Sequence, residues 1–103
     1  MIKYIMPQYN KAETFRARNA KEKALAKAFL KLKTEQEVAE FLRDLLTLPE
    51  IEEFANRLEI ARLLKSGMSY ATIAKQIGVS TTTVTRVAHW FFNGCGGYQK
   101  VLK

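Results

Sequence analysis

Apolar residues recur along the chain with the spacing of α-helices. From about Phe15 the pattern becomes helical, and four residues at i, i+3, i+4 and i+7 form one apolar stripe: Leu25, Ala28, Phe29 and Leu32. No segment alternates between apolar and polar positions as a half-buried strand would. The pattern therefore predicts an all-α protein whose first helix begins near residue 15.

Capping signals mark the next two helices. Thr34 and Glu37 have the spacing of a capping box and predict the start of the second helix. Pro49 suits the first turn of a third helix that begins near Thr47 and continues to Gly67. This helix is apolar around so much of its circumference that we expect it to be buried on two sides.

Two shorter helices follow, separated by a tight turn. Ser69 is expected to cap the fourth helix, which Gly78 ends, and Ser80 is expected to cap the fifth. A glycine-rich segment at 93–97 ends the fifth helix, and a short sixth helix is predicted around 98–102. Seven apolar residues are expected to point inward: Ile73, Ala74, Ile77, Val84, Val87, Ala88 and Phe91.

The length and composition fit one small domain. The chain has 103 residues, of which 48% are hydrophobic, so a packed core is available. Residues 1–19 lack stable periodicity and are predicted to be a partly disordered N-terminal tail, and 20–103 to be the helical domain. The apolar stripes of its first three helices exceed what one chain of this size can cover, which predicts a homodimer.

The charge is segregated along the chain. Residues 1–33 carry a net +7, residues 34–59 a net −6, and residues 60–103 a net +6. The last acidic side chain is Glu59, so the C-terminal 44 residues contain no carboxylate side chain. Such a stretch indicates a surface that faces a polyanion, although a solvated basic face is the simpler alternative.

The segment from Ser69 to Ala88 has the pattern of a helix-turn-helix. Its second helix would begin with four hydroxyl residues, 80–83, followed by Thr85 and Arg86. Small hydroxyls at a helix N-terminus let the backbone approach DNA and can bond phosphates or bases, and Arg86 can reach a phosphate or a guanine edge. The alternative is a helical hairpin that only packs, with Ser80 as a plain cap.

Other chemistry is less supported by the sequence. His89 has no Asp or Cys partner at a catalytic or ligand spacing, and the single cysteine, Cys95, has no adjacent basic group that would lower its pKa. We therefore predict that the protein has no catalytic residue, no metal site and no cofactor, and that it is not an enzyme. The absence of a secretory signal and of a membrane-length apolar run favours a cytoplasmic protein with no membrane partner.

From Leu46 to about Trp90 the chain resembles the Trp repressor family, and within it the YerC/YecD group. The resemblance is carried by LTLPEIEEFANRLEIARLLKSGMSYATIAKQIG and VSTTTVTRV. It implies an intertwined homodimer that presents two helix-turn-helix readers to double-stranded DNA, at a near-palindromic operator. The DNA-contacting positions that it implies are Tyr70, Ala71, Ala74, Thr81, Thr82, Thr83, Thr85 and Arg86; Lys75, Lys65 and Ser80 are added from the residues themselves.

The resemblance also implies a tryptophan pocket, from which this sequence departs. Arg57 and Arg86 match the arginines that flank the indole, and Thr47 and Thr83 match pocket threonines. Val87, however, stands where the family has a glycine that leaves room for the ligand. Trp90 replaces a serine and Asp44 an apolar residue.

We therefore interpret Thr47, Arg57, Thr83, Arg86, Val87 and Trp90 as a vestigial ligand pocket that excludes tryptophan. Trp90 is expected to be a buried core aromatic. The sequence predicts a sequence-specific DNA-binding transcriptional regulator, a repressor, without tryptophan as corepressor. Two alternatives stay open: a regulator that senses an unknown effector near Arg57 and Arg86, and a helix-turn-helix that contacts a protein.

Overall fold

The structure, a computed structural model, describes residues 8–103. In this part of the chain it contains six α-helices and no β-strand: α1 (Ala20–Phe29), α2 (Glu35–Leu45), α3 (Leu48–Lys65), α4 (Tyr70–Ile77), α5 (Thr81–Asn93) and α6 (Gly97–Val101). The predicted all-α fold is confirmed. The short sixth helix is also confirmed.

The predicted N-terminal caps form as the sequence indicates. The hydroxyl of Thr34 accepts from the backbone N–H of Glu37 at 3.1 Å, so α2 begins where the capping box places it. Ser69 accepts from the N–H of Thr72 at 3.2 Å and thereby starts α4. A further cap of the same kind, at Ser80, begins α5. These bonds satisfy N–H groups that have no partner within a helix's first turn.

The first helix is shorter than predicted. α1 begins at Ala20, because the side chain of Asn19 accepts from the N–H of Glu22 at 2.9 Å and caps it. Arg18 pairs with the Glu22 carboxylate at 2.7 Å, and this hydrogen bond lowers the pKa of Glu22. The predicted start near residue 15 is therefore wrong, and so is the inclusion of Leu32, which lies beyond the end of the helix.

The third helix has a capping box that the sequence interpretation missed. The N–H of Thr47 donates to the Glu50 carboxylate at 3.0 Å, and the N–H of Glu50 donates back to the Thr47 hydroxyl at 3.3 Å. The hydrogen bonds that the carboxylate accepts from Thr47 lower the pKa of Glu50. The Thr47 hydroxyl is therefore engaged in starting α3.

The chain divides into two compact units. One consists of Phe15–Phe54, and the other of Ala55–Lys103 with the described residues up to Thr14. In the second unit the C-terminal part of α3 packs with α4 and α5 around a core that includes all seven predicted inward residues, Ile77 at its edge. Its three most deeply buried large side chains are Ile60, Ile73 and Val84.

The Phe15–Phe54 unit buries little of its apolar surface within one chain. The rings of Phe29 and Phe41 meet edge to face with centroids 5.3 Å apart, so α1 contacts α2. No residue of either helix is buried, however. In α3 burial is confined to Ile60 and three neighbours, so the expected burial on two sides is not reached within a single chain.

Part of the predicted N-terminal tail contacts the end of α5. The Tyr9 hydroxyl donates to the carbonyl of Gly94 at 3.1 Å, and the N–H of Asn10 donates to the carbonyl of Phe92 at 2.8 Å. Ala12 makes a similar backbone bond to Asn93. The first seven residues of that tail lie outside the described part of the chain.

None of the helices that the structure describes has the length and apolar character needed to cross a membrane.

Candidate nucleic-acid interface

The candidate reader helix starts immediately after a left-handed turn. Gly78 ends α4 with φ of +83°, a conformation that favours glycine, and the turn 78–80 leads directly into α5. The Ser80 hydroxyl then accepts from the N–H of Thr83 at 3.2 Å. α4 and α5 pack against each other through the buried core. The turn chemistry thus fixes where the N-terminus of α5 lies relative to α4.

One face of α5 is exposed along its whole length. Val84, Val87 and Ala88 are buried, while the exposed positions recur with helical spacing: Thr81, Thr82, Thr85, Arg86, His89 and Trp90. Hydroxyl groups and one guanidinium occupy the first two turns of this face, and two aromatic side chains occupy the third. The face is therefore polar, positively charged and free of carboxylates where it is nearest to the helix N-terminus.

The hydroxyls of this region fall into two groups. Those of Ser80 and Thr83 lie 3.1 Å apart and bond each other, and the Thr85 hydroxyl donates to the carbonyl of Thr81 at 2.9 Å. Within the described chain the Thr81 and Thr82 hydroxyls have no hydrogen-bond partner. Thr83 and Thr85 therefore contribute locally to the helix, whereas Thr81 and Thr82 are available to a ligand.

The basic residues of α3, α4 and α5 differ in whether their charge is compensated. Arg62 is paired with Glu59 at 2.5 Å, which also lowers the pKa of Glu59. The exposed side chains of Arg86 and Lys75 have no ion pair with another residue of the described chain. Arg86 and Lys75 therefore carry the uncompensated positive charge of α5 and α4.

The remaining contact positions on α4 are placed unevenly. Ala71 is exposed and precedes Lys75 by one helical turn, so both lie on one face. Tyr70 is partly buried against the core. Ala74 has only 7% of its surface exposed, so the expectation that it contacts DNA is wrong, because its methyl group is part of the core. The fourth helix therefore exposes fewer of the positions that the resemblance implied as DNA contacts.

The six residues of the vestigial pocket do not share one environment. Val87 is 5% exposed and belongs to the core, whereas Arg57 and Arg86 are exposed. Burial raises the pKa of the Tyr98 hydroxyl, and the nearby Arg57 charge partly offsets this rise. Thr83 bonds Ser80, and Thr47 caps α3.

Trp90 has a surface position that differs from the predicted one. Its side chain is 50% exposed, and its ring meets His89 edge to face with centroids 5.1 Å apart. The expectation of a buried core aromatic is therefore wrong for the single chain, because Trp90 lies one turn after Arg86 on the exposed face. The same spacing places His89 one turn after Thr85. His89 therefore lies on the exposed face of α5, a position that the sequence analysis did not predict for it.

The cysteine and the possible metal ligands do not form a second candidate site among the described residues. Cys95 is exposed and free. Within the described residues no three His, Cys, Asp or Glu side chains are grouped so that they could hold a metal ion.

Comparison with known proteins identifies relatives of the chain. Residues 20–103 match the family model described as Trp repressor protein. The chain is 38% identical over 78 residues to an uncharacterized protein, YerC, of Bacillus subtilis (strain 168), which covers 76% of this chain and 75% of that protein. A crystal structure of a TrpR like protein from Eubacterium eligens ATCC 27750 matches with a TM-score of 0.77 and 33% identity, over 82% of this chain and 87% of that chain. A second crystal structure, from Staphylococcus aureus, also has a TM-score of 0.77, with 36% identity over 82% of this chain and 85% of that chain.

Proposed function

The chain belongs to the Trp repressor family, and we propose that it is a homodimeric, sequence-specific double-stranded DNA-binding regulator of transcription, a repressor, that works without tryptophan as corepressor. The observation that carries the proposal is the exposed face of α5, where Thr81, Thr82 and Arg86 are free of partners in the described chain and adjoin no carboxylate. A DNA-binding role agrees with the cytoplasmic location expected from the sequence.

The geometry of α4 and α5 suits a helix-turn-helix. The second helix of such a pair enters the major groove with its N-terminal residues against base edges. In α5 those residues are threonines, whose small side chains allow close approach and whose methyl groups can pack on thymine. The Thr81 and Thr82 hydroxyls are available to phosphates or bases. Contacts by Tyr70 and Ala71 are part of the same proposal, and Thr83 and Thr85, whose hydroxyls are engaged within the helix, would contribute mainly their methyl groups, with Ser80 fixing the helix start.

Electrostatics supports the same orientation on DNA. Phosphate contacts supply most of the affinity that does not depend on sequence, and they need uncompensated cations. Arg86 and Lys75 meet this requirement, and the last acidic side chain of the sequence is Glu59, in α3. The acidic residues of α2 and the N-terminal part of α3 would instead be repelled by a phosphate backbone. The charge pattern thus favours the α4–α5 face as the side that meets DNA.

Exposed apolar side chains support the proposed dimer. Leu25 is 44% exposed, Leu48 61%, Phe54 47% and Leu58 44% in the single chain. Large apolar surfaces of this kind on a small protein mark an interface with another chain. A second copy as the occupant would give two reader helices related by a two-fold axis, and hence a near-palindromic operator with half-sites about one helical turn apart.

The exclusion of tryptophan rests on Val87. Its side chain is 5% exposed and packs in the core at a position where the family has a glycine. Adding a ligand to a space that is already filled typically costs about 1–3 kcal/mol or more. The indole of Trp90 is half exposed, so the proposal no longer depends on it to fill the site.

Arg86→Ala is expected to weaken specific DNA binding. The loss should be about 1–3 kcal/mol per contact if the guanidinium reads a base. If it contacts phosphate alone, binding should fall evenly for all sequences, and the salt slope should decrease by about one unit per subunit. Fluorescence anisotropy with specific and random duplexes at several salt concentrations separates these results.

Arg62→Ala is the matched control for Arg86→Ala. It removes the same charge from the protein, but Arg62 is paired with Glu59 on α3. DNA affinity should change less in this variant than in Arg86→Ala at every salt concentration. An equal loss in both variants would show that net charge, rather than the α5 face, determines binding.

L-Tryptophan is expected neither to bind measurably at physiological concentration nor to change DNA affinity. The filled position at Val87 corresponds to roughly a ten- to hundredfold loss of affinity or more. Titration calorimetry checks this directly. A saturable heat at micromolar tryptophan that disappears in Arg57→Ala would contradict the expectation, whereas a gain of binding in Val87→Gly with Trp90→Ser would support it.

A further inference from the structure

A cavity lies at the C-terminal end of α5, in the unit that contains Ala55–Lys103. Its volume is about 550 Å³, within the range of about 300–1,000 Å³ typical of small-molecule sites. It includes none of the residues of the vestigial tryptophan pocket. The lining residues that define its chemistry are Tyr9, Lys65, Phe91, Phe92, Gln99 and Leu102.

The cavity is an open cleft lined by segments that are far apart in the sequence. Its walls come from the N-terminal segment, the end of α3, the end of α5, α6 and the residues after α6. The N-terminal wall is fixed by the bond from the Tyr9 hydroxyl to the Gly94 carbonyl at 3.1 Å and by the backbone bond from Asn10 to Phe92 at 2.8 Å. The first of these contacts joins residues 85 positions apart, and together the two hold the N-terminal segment against the end of α5.

The apolar wall suits an aryl group. The rings of Phe91 and Phe92 lie edge to face with centroids 4.9 Å apart, and both side chains are more than nine-tenths buried. Tyr9 and Leu102 complete an apolar lining. A planar apolar body of about the size of one aromatic ring would complement this wall by offset or edge contacts.

The charged lining selects for an anion. Lys65 and Lys103 line the cavity, and none of the side chains that line it is acidic. The Lys65 ammonium donates one hydrogen bond to the carbonyl of Leu102. An ammonium has three N–H donors, so Lys65 keeps donors for a ligand carboxylate while the bond to Leu102 holds it in place.

Gln99 supplies an acceptor that has no partner. Its Nε2 donates to the carbonyl of Phe91, which fixes the orientation of the amide. Its Oε1 is buried and has no hydrogen-bond partner among the described residues. A buried acceptor in this state is unfavourable, and a donor on a bound molecule would remove the penalty once the Gln99 side chain shifts to bring Oε1 to the cavity.

We propose that this cavity is a binding site for a small organic anion that carries an apolar ring and one hydrogen-bond donor, a hydroxyaryl carboxylate being the simplest example. The carboxylate binds Lys65, the ring packs on Phe91 and Phe92, and the hydroxyl donates to Gln99 Oε1. The lining of this site excludes the exposed face of α5, and Lys65, which the sequence suggested as a phosphate contact, bonds the Leu102 carbonyl here.

The direct test compares three probes on the full chain by calorimetry and by NMR titration. 3-(4-Hydroxyphenyl)propionate should bind saturably and shift the resonances of Phe91 and Gln99. 3-Phenylpropionate, which lacks the donor, should bind about five- to tenfold more weakly. 3-Phenylpropylamine carries the opposite charge and should not bind. Equal binding of the two carboxylates would overturn the role of Gln99, and no saturable binding of either at millimolar concentration would overturn the site.

Two substitutions assign the binding to this cavity. Lys65→Met keeps the length of the side chain and should weaken carboxylate binding about tenfold or more, whereas Lys100→Met, at an exposed lysine that does not line the cavity, should have no effect. Gln99→Met should abolish the preference for the hydroxylated probe. Circular dichroism checks that each variant is folded. Unchanged affinity in folded Lys65→Met would contradict the proposal, and the probe comparison on the unaltered chain stands even if Gln99→Met does not fold.

Discussion

Thr82→Glu is expected to abolish DNA binding. Thr82 is exposed in the first turn of α5, and its hydroxyl has no partner among the described residues. The substitution would set a carboxylate against the phosphates or base edges that this turn is proposed to approach. An acidic residue in the first turn of a helix interacts favourably with the helix dipole, so the variant should stay folded. Loss of binding would therefore report on the interface, as measured by anisotropy with a specific duplex.

Gln36→Glu is the matched control for this substitution. It adds the same charge to the first turn of α2, outside the proposed interface. DNA affinity should fall only slightly in this variant, since Gln36 is not among the residues proposed to contact DNA. Unchanged binding by Thr82→Glu would mean that α5 is not the reader helix.

Leu58→Lys is expected to dissociate the dimer. Leu58 is 44% exposed in the single chain, so a lysine there can keep its ammonium in water within a monomer. In a two-fold interface the same substitution occurs twice, and each buried unpaired charge costs several kcal/mol. The dissociation constant should rise by at least about a hundredfold. Light scattering over a range of protein concentrations measures it.

Gln36→Lys controls for the added charge of Leu58→Lys. It places a lysine at an exposed polar position and should leave the assembly unchanged. The unaltered chain should be a dimer whose interface buries more than about 2,000 Å². A folded monomer of the unaltered chain at micromolar concentration would contradict the proposed assembly.

The parts of the fold that could be predicted from the sequence are those set by local chemistry. Thr34, Ser69 and Ser80 cap helices because a side-chain oxygen three residues before a free N–H needs no distant partner. Gly78 ends α4 because glycine adopts the left-handed conformation found there, which also depends on local chemistry alone. The inward residues of α4 and α5 follow from period 3.6 alone. The exposed face of α5 is the complement of this inward set, so it too was predictable.

The errors have identifiable physical causes. The start of α1 was placed too early because the apolar pattern does not show that Asn19 caps the helix and that Arg18 binds Glu22. Trp90 was expected in the core because large aromatic side chains are usually packed, although its spacing from Arg86 puts it on the exposed face. Helical spacing was the better guide in this case.

The cavity at the end of α5 could not be predicted, because it depends on contacts between distant residues. Tyr9 and Gly94 are 85 positions apart, and no local pattern indicates that they bond. From the sequence alone, Gln99 is an ordinary polar residue of a short helix, because nothing local shows which residues surround it. Sites of this kind require the packing of several segments and are visible only in the structure.

We propose above all that α5 reads specific double-stranded DNA as part of a dimer. Selection of bound sequences from a random duplex pool, followed by affinity measurements of the enriched sequence at several salt concentrations, tests it most directly. We expect enrichment of a near-palindrome with half-sites about 10 base pairs apart, bound by two chains, with affinity that falls as salt rises. A pool that shows no enrichment, together with affinity that does not depend on salt, would contradict it.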